Sequence, residues 1–207
     1  MQDNPRELWS KAGLLAVDKP AGLLTVPGRG PDKADCLIAR VQRQHPTALI
    51  IHRLDQPTSG LVLLALNPEL QREMSMRFAR REVRKRYEAW VHGRPSTDEG
   101  VIDLPLITDW PNRPRQMVDM ESGKPSLTRW QILESVEGRT RVALFPVTGR
   151  THQLRVHLAT IGHPIVGDAL YGTDSDREPR LLLHATDLAF DHPLDEEAVA
   201  LRSPAPF

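Results

Sequence analysis

Ile51-His52-Arg53-Leu54-Asp55-Gln56-Pro57-Thr58-Ser59-Gly60 is a polar stretch closed by glycine, and the apolar run Leu61-Val62-Leu63-Leu64-Ala65-Leu66 follows it directly. A turn-rich segment feeding an unbroken apolar run of strand length predicts a buried strand with a loop at its entrance. That loop carries one carboxylate, Asp55, with Arg53 before it and Thr58-Ser59 after it. A loop aspartate ordinarily does no more than close an Asx turn, so the meaning of Asp55 rests on its surroundings.

Upstream, Leu14-Leu15-Ala16-Val17 reads as a short buried strand ending at Asp18-Lys19-Pro20, and Ala34 to Gln44 has helical spacing, with Leu37, Ile38 and Val41 on one side. Downstream, Asn67 is placed to cap a helix with Pro68 at its first position and Leu70, Met74 and Phe78 on its apolar face. Lys85 to His92 alternates as a strand, with Tyr87, Ala89 and Val91 on one face. Val101–Leu106, Leu127–Leu133, Thr140–Phe145 and Leu181–Phe190 are further strands. His152 to Ile161 reads as a helix with Leu154, Leu158 and Ile161 as its apolar stripe and His152 and Arg155 beside it. Strands outnumber helices, so the expected class is α+β: a mixed, largely antiparallel sheet with flanking helices.

At 207 residues, 40% hydrophobic and 26% charged, the chain fits one globular domain spanning 1–207. No apolar run reaches the roughly 18–20 residues of a membrane span, and the start Met1-Gln2-Asp3-Asn4-Pro5 has no secretory pattern, so a cytoplasmic protein is expected. A lone Cys36 excludes an intrachain disulfide and a thiolate-rich metal cage. His152 and His157 lie five apart, about 500° around a helix, and do not converge on one ion, so no metal is expected. Net charge is zero, but Arg77, Arg80, Arg81, Arg84, Lys85 and Arg86 form a basic stripe, while Asp187 to Glu197 is acidic.

His52-Arg53-Leu54-Asp55-Gln56-Pro57-Thr58-Ser59-Gly60 resembles the catalytic signature of the RluA family of pseudouridine synthases, in which the Asp of HRLD is catalytic. Two further blocks match in the family's order: Arg84-Lys85-Arg86-Tyr87 resembles its K-x-Y block, and Thr148-Gly149-Arg150-Thr151-His152-Gln153-Leu154-Arg155-Val156-His157 its TGR-x-HQLR-x-H block. Lys19-Pro20-Ala21-Gly22 and Arg180-Leu181-Leu182-Leu183-His184-Ala185 match as well, so the resemblance covers nearly the whole chain. Asp109-Trp110-Pro111-Asn112-Arg113-Pro114 points to the subgroup that acts on both transfer and 23S ribosomal RNA. Only about a dozen residues precede the first strand, leaving no room for the separate S4 RNA-binding domain of larger relatives.

The resemblance implies a pseudouridine synthase fold with its active-site cleft across the sheet, and an isomerase that needs no cofactor. It implies that Asp55 attacks the uridine, Arg155 keeps Asp55 ionised, and Tyr87 stacks on the uracil. Arg53 is expected to fill the space left when the base is flipped out. His52, Thr58, Arg84, Lys85, Arg86, Arg113, Arg150, His152 and Leu183 are the remaining candidate RNA contacts. The implied partners are tRNA, at the first nucleotide of the anticodon loop, and a 23S rRNA loop, bound by a monomer. A non-catalytic RNA-binding factor is the competing reading, and a hydrolase a weaker one, since Thr58-Ser59-Gly60 is no G-x-S-x-G elbow.

Overall fold

The computed structural model describes residues 5–30, 33–173 and 178–207. In chain order its elements are β1 (Arg6–Lys11), β2 (Leu14–Lys19), α1 (Leu37–Val41), β3 (Leu49–Ile50), β4 (Ser59–Ala65), α2 (Pro68–Ala79) and β5 (Arg84–His92). Then come β6 (Glu99–Asp103), β7 (Leu106–Thr108), β8 (Gln116–Val118), β9 (Leu127–Val136), β10 (Arg139–Pro146), α3 (Gln153–Thr160), β11 (Leu183–Asp191) and β12 (Ala198–Arg202). They form two compact units: Met1–Arg84 with His184–Pro206, and Lys85–Leu183 with Phe207.

In the first unit, β4 is buried along its whole length, as its unbroken apolar run predicts. It pairs antiparallel with β2 and β3 and parallel with β11, which in turn pairs antiparallel with β12. The parallel pairing sets Gly60 against Ala185. Gly60 has φ +112°, and a Cβ there would meet the Ala185 carbonyl oxygen at 2.3 Å, so only glycine fits. The Asn67 side chain accepts a hydrogen bond from the Leu70 N–H at 2.8 Å, capping α2. Leu70 and Met74 then enter a core with Leu61, Leu63, Leu188 and Phe190, against which Phe78 packs.

The helix expected over 34–44 shrinks to the five residues of α1. Cys36 is extended, and the amides of Leu37 and Ile38 donate to the carbonyls of Leu24 and Thr25 instead of starting a helical turn earlier. The basic stripe also loses a member. Arg77 donates to Glu73 at 3.0 Å, to Glu196 at 2.7 Å and to the Asp191 carbonyl at 2.9 Å. The acidic stretch thus neutralises Arg77, and its Asp195 and Glu197 pair with Lys11.

The second unit is antiparallel, in the order β5-β10-β9-β6, with β7 and β8 forming a separate hairpin. Its core joins Ala89 and Val91 of β5, Val142 and Leu144 of β10, Trp130 of β9 and Leu154 and Leu158 of α3, with Tyr87 packed against it. Helix α3 is not amphipathic as expected: Gln153, Arg155 and His157 are as buried as Leu154 and Leu158, whereas Ile161 is exposed at the C-cap. Among the described residues, no helix is long and apolar enough to cross a membrane.

Candidate active site

In the first unit, the loop bearing Asp55 is clamped on either side of that residue. Leu54 is bracketed by Thr25, whose hydroxyl donates to the Leu54 carbonyl at 2.7 Å and accepts from the Leu54 N–H at 3.2 Å. The Gln56 carbonyl accepts from the Gly22 N–H at 2.9 Å and from the Lys19 ammonium at 3.1 Å. Lys19 is fully buried and also donates to the carbonyls of Pro20 and Leu23 at 2.9 and 2.7 Å. The Lys19-Pro20-Ala21-Gly22 block therefore serves as the anchor of the Asp55 loop. A buried ammonium shared among three carbonyls is charge-assisted bonding of the kind that fixes a backbone.

The Thr58 N–H closes the turn on the Asp55 carbonyl at 3.1 Å. The Thr58 hydroxyl is buried, yet it has no hydrogen-bond partner among the described residues. His52 also holds the loop: its Nε2 accepts from the Leu63 N–H at 2.9 Å and its ring stacks on Phe78 at 4.5 Å. A ring engaged on a strand amide and an aromatic face is a structural fixture. Arg53 is exposed.

In the second unit, Gln153 is the hub that folds the segment after β10. Its side-chain oxygen accepts from the Thr148 hydroxyl at 2.7 Å and from the Arg150 N–H at 3.0 Å, and its amide donates to the Leu127 carbonyl and Thr128 hydroxyl, each at 3.0 Å. One turn on, His157 is wholly buried, with Nδ1 2.9 Å from the Thr128 hydroxyl and Nε2 3.0 Å from the Leu104 carbonyl. Those partners select the neutral ring with its proton on Nε2.

Burial holds the His157 pKa below the ordinary imidazole value, and the bond to Leu104 opposes this only in part. The unfolded chain therefore binds a proton at His157 more readily than the folded one. This contribution to stability is complete above the unfolded pKa of about 6.5 and is lost as pH falls through it. Urea unfolding between pH 7 and pH 5 is expected to show a steeper loss in the wild type than in His157→Gln, by up to about 1.4 kcal/mol per pH unit. Equal slopes would contradict it.

Arg155 emerges from the inner side of α3 and is 3% exposed. Its planar fork grips Asp168 at two points: Nε to Oδ2 and Nη2 to Oδ1, both at 2.7 Å. The Asp168 carboxylate is fully buried, and an uncompensated charge there would be far more costly than one in a loop. Asp168 Oδ1 also accepts from the N–H groups of Leu170 and Tyr171, at 2.9 and 3.1 Å, which shapes the turn carrying Tyr171. The Tyr171 ring lies 5.1 Å from the Arg155 guanidinium carbon, its hydroxyl oxygen accepts from the Gln116 N–H at 2.7 Å, and it sits 2.8 Å from His152 Nδ1. Burial raises the Tyr171 pKa, which keeps the phenol protonated and able to donate to His152. His152, in the left-handed conformation at φ 54°, is thus turned inward onto Tyr171.

Asp168 and Tyr171 were not among the expected site residues. Nothing periodic marks either one; the available signal was that Tyr171 is one of only two tyrosines in the chain. Of the remaining candidates, Tyr87 lies on β5 against the core, and Leu183 is buried within that core. Arg86 pairs with the nearly buried Glu88 at 2.6 Å. Arg84, Arg113 and Arg150 are exposed and Lys85 is partly so; Arg113 lies over the Trp110 ring at 4.7 Å, and Arg150 donates to the Pro125 carbonyl at 3.2 Å. Among the described residues, no three His, Cys, Asp or Glu side chains gather as a metal site.

Residues 13–160 match the RNA pseudouridylate synthase family model. The chain is 46% identical over 203 residues to the dual-specificity RNA pseudouridine synthase RluA of Escherichia coli strain K12, covering 97% of this chain and 93% of that protein. The protein of the same name from Yersinia pestis is 48% identical over 189 residues, covering 90% and 92%. Among solved structures, human RNA pseudouridylate synthase domain containing 1 superposes with a TM-score of 0.83 at 31% identity, covering 100% of this chain and 86% of that one. The sheet architecture is accordingly that of a known fold, and the chain belongs to the RNA pseudouridylate synthase family.

Proposed function

We propose that this chain isomerises uridine to pseudouridine at the first nucleotide of the tRNA anticodon loop and in a loop of 23S rRNA, acting as a cytoplasmic monomer through Asp55. The observation that carries this reading is the Asp55 loop: a carboxylate between residues whose backbones are fixed by Thr25, Gly22 and Lys19. The near full-length identity to RluA proteins named for dual specificity supports the choice of RNAs. The 1–207 chain serves as one catalytic domain in this reading.

The reaction breaks the N1–C1′ bond, turns the uracil and joins C5 to C1′; the C5 proton leaves and N1 gains one. An ionised carboxylate supplies the nucleophile, at C1′ or at C6 of the ring. Arg155 stabilises that anion, and Asp168 fixes the plane of the guanidinium. Tyr87 keeps the detached uracil stacked and its hydroxyl assists removal of the C5 proton. Arg53 enters the stack vacated by the flipped base, while Arg84, Lys85, Arg113 and Arg150 contact phosphates.

Thr58 tests how closely substrate engages the loop. Thr58→Val removes a buried hydroxyl that has no partner among the described residues, so unfolding free energy is expected to hold or rise by about 1 kcal/mol. If the hydroxyl donates to substrate or to the attacking carboxylate, turnover drops about tenfold in the same variant. Unchanged turnover on an anticodon stem-loop would remove Thr58 from the site. The RNA assignment itself is tested by mapping pseudouridine in tRNA and 23S rRNA of a strain lacking the gene. Both positions are expected to revert to uridine; unchanged RNAs would overturn the assignment.

A further inference from the structure

The second unit contains a cavity that none of the proposed chemistry uses. It has a volume of about 540 Å³, opens between the β7–β8 hairpin and α3, and is lined by Asp109, Asn112, Arg115, Met117, Ala159 and Tyr171 among others. That volume is in the range of sites for small organic ligands. Its lining is divided. Met117, Val118, Val156 and Ala159 form an apolar wall, while Arg115, Asn112 and Asp109 supply polar groups.

Arg115 is exposed, and among the described residues it pairs with no carboxylate; its guanidinium carbon lies 5.4 Å from the centre of the Tyr171 ring. The Arg155 guanidinium approaches the same ring at 5.1 Å. Tyr171 therefore links the cavity to the arginine of the proposed reaction. An arginine laid on an aromatic face has already lost much of its rotamer freedom, so an anion binds it at lower entropic cost. Arg113 is held over Trp110 on the same loop, so the loop presents two oriented guanidiniums. Asp109 is engaged by the Asn112 amide, at 3.1 and 3.0 Å to its two oxygens, and both residues line the cavity with acceptor oxygens. One cation, an apolar wall and acceptors together suit a phosphate, a flat base and an exocyclic amine.

We propose that this cavity is a second nucleotide subsite, holding an unpaired, amine-bearing nucleotide of the substrate RNA other than the target uridine, with its phosphate on Arg115 and its base along the apolar wall. The proposal rests on the RNA-modifying reading above. A nucleotide seated there abuts Tyr171 and, through that ring, Arg155.

The test measures affinity of the full chain for a tRNA anticodon stem-loop, intact and with single abasic substitutions at each loop position. Arg115→Gln and Ala159→Leu, the second filling the cavity, are compared with wild type, and Arg94→Gln, whose guanidinium pairs with Asp98, serves as the control for loss of a surface cation. Arg115→Gln and Ala159→Leu are each expected to weaken binding about tenfold, and Arg94→Gln less than twofold. One abasic position is expected to weaken wild-type binding by a similar factor and to have no further effect in Arg115→Gln. Millimolar CMP is expected to leave RNA affinity unchanged, because the nucleotide is held as part of the strand. Wild-type affinity in both cavity variants, additive abasic effects at every position, or displacement of RNA by CMP would overturn the subsite. A wild type that makes no pseudouridine in this RNA would instead overturn the functional reading, and the subsite with it.

Discussion

Asp55→Asn is expected to reduce pseudouridine formation by at least about 10⁴-fold while leaving affinity for substrate RNA within about threefold of wild type. The amide is nearly isosteric with the carboxylate, and the loop is held by the backbone of Leu54 and Gln56 and by the buried Lys19 ammonium, none of which the substitution touches. What disappears is the anion that attacks carbon in the proposed mechanism, and removal of a covalent nucleophile ordinarily costs four or more orders of magnitude. The measurement is a single-turnover rate on a stem-loop RNA, with mass spectrometry showing that the variant has not deamidated back to aspartate. A non-catalytic RNA-binding protein on this scaffold would show no change in either quantity.

Asp168→Ala is expected to lower the unfolding free energy by about 3–5 kcal/mol, the range seen when one partner of a buried ion pair is removed. Arg155 is 3% exposed and Asp168 holds two of its N–H groups, so alanine leaves a cation in the interior without this compensation. Alanine also strips the acceptor from the Leu170 and Tyr171 amides. Asp168→Asn keeps an oxygen for those amides but loses the charge, and is expected to fall between wild type and alanine. Urea denaturation reads this as a lower midpoint at constant slope. In Asp168→Asn, pseudouridine formation is expected to fall more than RNA affinity, because the guanidinium is no longer fixed in its plane. A midpoint within about 0.5 kcal/mol of wild type for alanine would contradict a structural and positioning role.

What could be read from the sequence were the features encoded locally. The β4 strand follows from six consecutive apolar residues, and the start of α2 from Asn67-Pro68, because a cap and a buried run are properties of neighbours in the chain. Asp55 stood out because the residue types around it are specific. The Arg155–Asp168 pair joins residues thirteen apart in different elements, and no periodicity foretells it. Arg77 looked like a free surface cation until Glu196, 119 residues away, was placed beside it. α1 shortened because Leu24 and Thr25, in a loop with no regular pattern, capture the amides that would begin it. The packing of His52 on the Leu63 amide and the Phe78 ring joins residues 11 and 26 positions apart, which its motif position does not foretell.

The most direct test of the central claim is tritium release from anticodon stem-loop and 23S loop RNAs labelled at C5 of uridine. Joining C5 to C1′ must expel that hydrogen, whereas binding, folding or hydrolysis of RNA leaves it in place. The wild-type chain is expected to release one tritium per labelled target uridine without added metal or cofactor, and the same reaction on unlabelled RNA is expected to leave its mass unchanged. No release from either RNA, under conditions where the protein binds both, would contradict the assignment of this chain as an enzyme that isomerises their uridines.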